Sequence, residues 1–334
     1  MARAWLGAVI AGVLALIGGT TAASAQPQQD FATWLAGLRS EALHRGISPA
    51  TLDTALAGVT PIDRVIELDR RQPEFTMTFE QYLAHVVSPE RVESGRQHLV
   101  HQKKVLSAVA RRYGVPAPVV VAMWGIESDY GRLTGNFGVV PALATLAYDG
   151  RRSQYFRGEL MDALKMVEAG VPPSRMRGSW AGAMGQCQFM PSTYLKYAKA
   201  WTGADQPDIW TTPPDVFASA ANYLAGIGWN PKQRWGRAVR LPKHGMASVL
   251  FGLETKRSLR EWRKLGLRQA DGKPLPGPAG MQASLVRAET GKGDDVGHGA
   301  PYLVYNNFRV LMRWNRSVFF ALAAGTLADR LSNK

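Results

Sequence analysis

The spacing of apolar positions predicts a chain built mainly of helices. Phe31, Trp34, Leu35 and Leu38 recur at helical intervals, and Ser48-Pro49 opens a second helix with Leu52 and Leu56 on one face. Residues 26–115 read as mostly helical, residues 116–230 as apolar helical segments alternating with Gly-rich turns, and residues 235–260 as mixed helix and loop. Over 270–301 many Gly and Pro surround a short strand candidate at 283–288, and a second strand candidate follows at 302–306. Together they predict a small β ribbon, about residues 270–306, inserted in a helical protein. An apolar helix over 318–331 closes the chain.

One apolar run differs from the rest. Residues 6–18 follow Arg3, are too short to span a bilayer comfortably, and lead to a small-residue cleavage pattern at Ala23, Ser24 and Ala25. The pattern predicts that residues 1–25 are a secretory signal; a membrane anchor is the competing reading. No Arg-Arg pair precedes the run, which favours general export, and no Cys follows it to carry a lipid. A soluble mature protein of 309 residues is expected from the 334, enough for one large or two smaller domains.

The formal net charge is +14, and loss of residues 1–25 removes one Arg and no acid, leaving +13. Such a charge suits a polyanionic partner. Export argues against nucleic acid and for anionic cell wall, with solubility alone as the plainer explanation. The single cysteine, Cys187, excludes an intrachain disulfide framework. The six His show no paired metal spacing, and GKGDDVGHG lacks the ending of a phosphate-binding loop.

The chemistry concentrates in two segments. Residues 119–126 read VVVAMWGI after Pro118, a run apolar on every side, and Glu127 follows directly. Val120, Met123 and Trp124 share its helical face. Desolvation there, together with the negative end of the helix near a Gly131 cap, raises the expected pKa of Glu127 and favours a protonated general acid. A structural Glu tied to an Arg or to backbone fits the same segment. Asp129, two residues on, points to another face, so no second carboxylate is evident by spacing.

The second segment, GSWAGAMGQCQFMP at 178–191, has little side-chain bulk and carries the neutral groups of Ser179, Gln186 and Gln188, which suit sugar hydroxyls. A tight structural turn fits it equally. Ser192 is a candidate cap for the helix that Pro191 begins. Cys187 has no His in a motif with it, which argues against a nucleophile.

The stretches VVVAMWGIESDYGRLTGNFGVVPALATLAYDGRRSQYF, GSWAGAMGQCQFMPSTYLKYA and ANYLAGIGWN resemble the lytic murein transglycosylase B family, glycoside hydrolase family 103, and the likeness spans nearly the whole mature chain. It implies a mainly α fold with a lysozyme-like helical catalytic core, an N-terminal helical region and the β-ribbon insertion. Residues 26–334 would form that catalytic domain, without a separate C-terminal peptidoglycan-binding module. The resemblance further implies Glu127 as sole catalytic acid and base, and substrate contacts from Ser179, Gln188, Phe189, Tyr82, Arg151, Arg152, Tyr223 and Asn315. Trp314 and Phe320 stand where the family often has Tyr, so the aromatic face is kept and a hydroxyl lost. Some members carry an Asp- and Gly-rich calcium loop. Here it reads AWTGADQPDIW, with Ala200, Thr202 and Ala204 where carboxylates would alternate, so no metal and no cofactor are expected.

The resulting expectation is a periplasmic, monomeric enzyme, with no stable membrane anchor, that acts on peptidoglycan glycan strands. It would cleave the β-1,4 bond between N-acetylmuramic acid and N-acetylglucosamine and form 1,6-anhydromuramyl ends. A lysozyme-like hydrolase and a non-catalytic wall-binding protein are the alternatives.

Overall fold

Short polar residues begin helices by accepting from backbone N–H groups one turn on. Ser48 accepts from the Thr51 N–H at 3.2 Å, Asp30 does the same for Thr33, and Thr78 forms a reciprocal capping box with Gln81. The computed structural model describes residues 30–71, 77–201, 203–288 and 299–332. The proposed signal segment, Thr202 and most of GKGDDVGHG fall outside them.

In chain order the first elements are α1 (Phe31–His44), α2 (Pro49–Ala55), α3 (Asp63–Arg70), α4 (Phe79–Val86), α5 (Pro89–His101), α6 (Lys103–Tyr113) and α7 (Ala117–Ser128). Then come β1 (Phe137–Gly138), α8 (Val139–Tyr148), α9 (Ser153–Glu168), β2 (Arg177–Gly178), α10 (Pro191–Tyr197) and α11 (Pro213–Gly226). The remainder is β3 (Gly236–Arg240), β4 (Arg257–Ser258), α12 (Leu259–Lys264), β5 (Arg268–Gln269), β6 (Gln282–Arg287), β7 (Pro301–Val304), α13 (Asn306–Trp314) and α14 (Val318–Ser332). The chain divides into two units, Met1–Gln72 with Trp124–Ala220 and Pro73–Met123 with Ala221–Lys334.

In the first unit α8 packs on α9, burying Leu143, Leu146, Leu160 and Leu164. Each such side chain contributes roughly 1.5–3 kcal/mol on burial. α10 packs on α9 in turn, and Ser192 holds the joint. The Ser192 backbone N–H donates to Glu159 at 3.0 Å and its hydroxyl at 2.8 Å. Ser192 therefore does not cap α10, as expected from sequence; its groups go to an acid 33 residues earlier. β1 pairs antiparallel with β2, Phe137 opposite Gly178.

In the second unit α14 packs on α4, α5 and α13. Phe79 and Phe319 meet edge to face at 5.2 Å. The expected closing helix is present almost residue for residue. The expected β ribbon is an underestimate: β6 and β7 are the middle of a five-stranded sheet of order β4-β6-β7-β3-β5, its pairs antiparallel. The stretch 235–260, read as helix and loop, contributes β3 and β4. β3 is only five residues long, too short for its alternation to stand out, and its partners lie far along the chain. Trp262, Leu285, Leu303 and Tyr305, none with any exposed surface, fill the core beneath the sheet.

Candidate active site

Glu127 stands in the last turn of α7, half-buried between Ile126 and the fully enclosed Ser128. The helix does not end on Gly131 alone. Asp129, Tyr130 and Gly131 take left-handed φ angles of 51°, 58° and 86° in succession. Two of these are not glycine, each costing roughly 1–2 kcal/mol of backbone strain, a cost that tends to collect at functional sites. Side chains hold the turn in place. Gly131 donates its N–H to the Ser128 hydroxyl at 3.1 Å, and the Tyr130 ring lies edge-on to Trp124 at 5.3 Å. That ring covers Gly125 so closely that a Cβ there would come within 2.7 Å of it. Asp129 accepts from Arg132 Nε at 3.0 Å, so it is committed to an ion pair.

The helix end is fastened to the small-residue loop by Gln186. Trp124 Nε1 donates to Gln186 Oε1 at 2.8 Å, and the Ser128 hydroxyl donates to the Gln186 carbonyl at 2.8 Å. Gln186 Nε2 donates to the Trp210 carbonyl at 2.7 Å, and its backbone N–H to Ile209 at 2.8 Å. Sequence reading offered Gln186 as a sugar-facing amide; the structure corrects this, because the buried side chain is spent inside the protein. Nothing in the sequence marks a hydrogen bond that spans 62 residues.

Around this clamp the loop folds back on itself. Ser179 donates its N–H to the Ala183 carbonyl at 2.8 Å, while its hydroxyl oxygen accepts from the Ala183 N–H at 3.1 Å and the Ala181 N–H at 3.3 Å. The hydroxyl proton is what Ser179 has left to offer. Gln188, at φ 50°, donates through Nε2 to the carbonyls of Gly185 at 2.8 Å and Thr134 at 3.1 Å, which leaves its Oε1 as an acceptor. Gly178 is required by close approach: a Cβ would lie 2.1 Å from the Ala183 carbonyl oxygen. Phe189 is 2% exposed and exchanges backbone hydrogen bonds with Met184, so its ring belongs to the core.

Cys187 is buried beside this loop. Burial, reinforced by the nearby Glu127 charge, pushes its thiol well above the usual range, so it is no nucleophile. The basic pair is anchored as well. Arg152 pairs with the buried Asp69 and lies over the Phe156 ring at 4.9 Å, and Arg151 Nε reaches Asp69 at 3.6 Å with half its side chain exposed.

In the second unit, the Tyr223 ring packs on Trp314 at 4.8 Å, and both are half-buried. Asn315 caps the end of α13, and its Oδ1 accepts from the Ser317 N–H at 3.0 Å, a bond that does not use its amide N–H groups. Tyr82 is 5% exposed and packs on Phe319 at 5.6 Å. Phe320 has no exposed surface; it is a core residue and not a groove aromatic, because the inward face of α14 claims it.

Residues 30–329 match the transglycosylase SLT domain family. The chain belongs to this family. As a lytic transglycosylase it is 33% identical over 255 residues to the membrane-bound lytic murein transglycosylase B of Escherichia coli K12, across 75% of this chain and 67% of that protein. Its fold matches SltB3 of Pseudomonas aeruginosa, solved in complex with NAG-NAM-pentapeptide, with a TM-score of 0.87, 44% identity, and 92% of this chain and 80% of that one covered. It also matches the Escherichia coli lytic transglycosylase Slt35 in complex with calcium, with a TM-score of 0.74, 29% identity, and 90% and 92% covered. The mainly α, lysozyme-like fold expected from the resemblance is thereby borne out.

The residues of the AWTGADQPDIW stretch do not suit a calcium ion. Ala200 and Ala204 bring no side-chain oxygen. Asp215 accepts from the backbone N–H groups of Trp201 at 2.8 Å and Asp208 at 2.9 Å. Asp208 accepts from those of Trp210 at 2.9 Å and Thr211 at 3.0 Å. Burial raises the Asp208 carboxyl, but the hydrogen bonds from Thr211, Trp210 and Thr212 outweigh it and hold it below the ordinary range. Among the described residues no group of three or more His, Cys, Asp or Glu is placed to hold a metal ion.

Proposed function

We propose that this lytic transglycosylase cleaves peptidoglycan with Glu127 as its only acid and base. The observation that carries the reading is one carboxylate at the end of a buried apolar helix whose nearest sequence acid, Asp129, is already paired with Arg132. As general acid, Glu127 must enter the reaction protonated. The acid gives its proton to the oxygen joining N-acetylmuramic acid to N-acetylglucosamine, and the C1–O bond breaks. The substrate's own N-acetyl oxygen stabilises the positive charge at C1. Glu127, now a carboxylate, takes the proton of the muramyl C6 hydroxyl as that oxygen bonds to C1. A positioned internal hydroxyl replaces water as nucleophile and yields a 1,6-anhydro end.

In this reading Ser179, Gln188 and Asn315 supply neutral hydrogen-bonding groups to the glycan. Tyr223 and Trp314 offer aromatic surface. Arg151, the more exposed of the basic pair, meets an anionic group of the wall. Residues 1–25 direct export, and the mature enzyme acts in the periplasm as a monomer. Among the described residues no helix is long and apolar enough to cross a membrane.

Mass spectrometry of peptidoglycan digested with the purified mature protein tests the reaction. Anhydromuramyl ends are expected, and their loss in Glu127→Gln. Products bearing only reducing ends would replace this mechanism with a hydrolytic one.

A further inference from the structure

The chain's positive charge is not spread evenly. Residues 232–304 hold 14 Lys and Arg against 6 Asp and Glu, a net of +8 out of +14 for the whole chain. Within the sheet formed by this stretch, Arg240 of β3 and Arg268 of β5 face each other directly in the antiparallel register. Like charges directly opposed on neighbouring strands destabilise a sheet. β5 is an edge strand, so both guanidinium groups stand at the rim.

Two lysines join them. A Cβ on Gly266 would sit 3.2 Å from the Pro242 side chain, which brings the turn after Lys264 against the turn before Lys243. Arg240, Lys243, Lys264 and Arg268 are all exposed. None forms an ion pair with another described residue, and the nearest acids in sequence are already engaged. Glu261 closes the capping box of α12 with Ser258, and Asp271 pairs with Lys273 at 3.1 Å. The rim therefore presents Arg240, Lys243 and Arg268 without an acid partner among the described residues, and beside them Lys264, whose charge also acts on Glu261.

We propose that this β3–β5 rim docks the carboxylate-bearing stem peptides of peptidoglycan. Two adjacent guanidinium forks suit carboxylates, which they grip in bidentate fashion. An anionic membrane surface suits the rim less well. α12 turns its apolar residues Leu259 and Trp262 inward with no exposed surface and shows Arg260, Glu261 and Lys264 outward, so it has no apolar face to sink into lipid. The inference rests on peptidoglycan being the substrate, but not on how Glu127 cleaves it.

The test is co-sedimentation of the full mature protein with purified sacculi across a salt series, in a Glu127→Gln background so that the wall is not digested. Each exposed charge contact changes affinity by roughly two-fold. Arg240→Gln/Arg268→Gln should therefore bind about four-fold more weakly at low salt, and the difference should vanish at high salt. Lys243→Gln/Lys264→Gln should repeat the effect, and an unchanged thermal melting curve shows that either variant is folded. On glycan stripped of its stem peptides by an amidase, wild type and variants should bind alike. Unchanged binding of both folded variants to sacculi overturns the proposal. So does a difference that survives removal of the peptides, or one seen on phosphatidylglycerol vesicles and not on sacculi. An anhydro product missing from the mass spectra would instead overturn the reaction mechanism and leave the docking result standing.

Discussion

Trp124 donates its indole N–H to Gln186 Oε1 at 2.8 Å, three residues before Glu127 on the same helix. One residue after Glu127, the Ser128 hydroxyl is held by the Gln186 carbonyl. The proposed acid is thus bracketed by two bonds to a single residue of another segment. Gln186→Leu removes the acceptor for Trp124 and the donor to the Trp210 carbonyl. Leaving buried polar groups unpaired costs about 1–3 kcal/mol each. Urea denaturation should show a loss of about 2–4 kcal/mol, and turnover of peptidoglycan should fall more than substrate affinity does.

Gly178 offers a test of the backbone packing. Its Cβ position lies 2.1 Å from the Ala183 carbonyl oxygen, so Gly178→Ala must push the two strands of the loop apart. Overpacking of this kind costs about 1–3 kcal/mol. The variant should melt at lower temperature and lose most of its activity, because Ser179 is the adjacent residue. An active, equally stable variant would refute the packing argument.

Cys187 should be chemically silent. Burial and the Glu127 charge both raise its thiol, so the thiolate is scarce at neutral pH. A thiol reagent such as dithionitrobenzoate should react with the denatured chain and not with the native one. Cys187→Ala should retain activity within about two-fold, since a small buried residue is replaced by another.

Glu159 gives a pH dependence with a definite sign. Burial raises its carboxyl above the ordinary value, against the lowering effect of the Ser192 hydrogen bonds. The folded state then holds this proton more tightly than the unfolded state, so the group's contribution to stability is present below its unfolded pKa and is lost as pH rises through the folded one. The stability of the wild type minus that of Glu159→Gln should decline as pH rises from about 4 towards neutrality. A difference that grows over that range would contradict the assignment.

Local signals carried much of the fold. The Ser48 cap, the apolar run before Glu127 and the closing helix are each legible because neighbours within a turn determine them. What was missed is non-local. β3 finds its partners about 30 and 65 residues away, the Ser192 groups go to Glu159, and the Arg151–Arg152 pair is claimed by Asp69 from 83 residues back. Phe320 shows the same limit: the substitution pattern suggested a groove position, but which side of α14 faces inward is decided by α4, α5 and α13. Around the candidate site, the buried apolar helix that carries Glu127 was legible, whereas the Gln186 clamp that holds that helix was not.

Asp215 is 1% exposed and donates nothing; its two oxygens only receive, one from Trp201 and one from Asp208. Calorimetric titration with calcium should accordingly show no saturable binding, and a chelator should leave the melting temperature in place. Asp215→Asn should lower it, because an amide cannot accept at both positions. That outcome would mean that the segment is shaped from within the chain, by acids that hold backbone in the place a mineral could otherwise take.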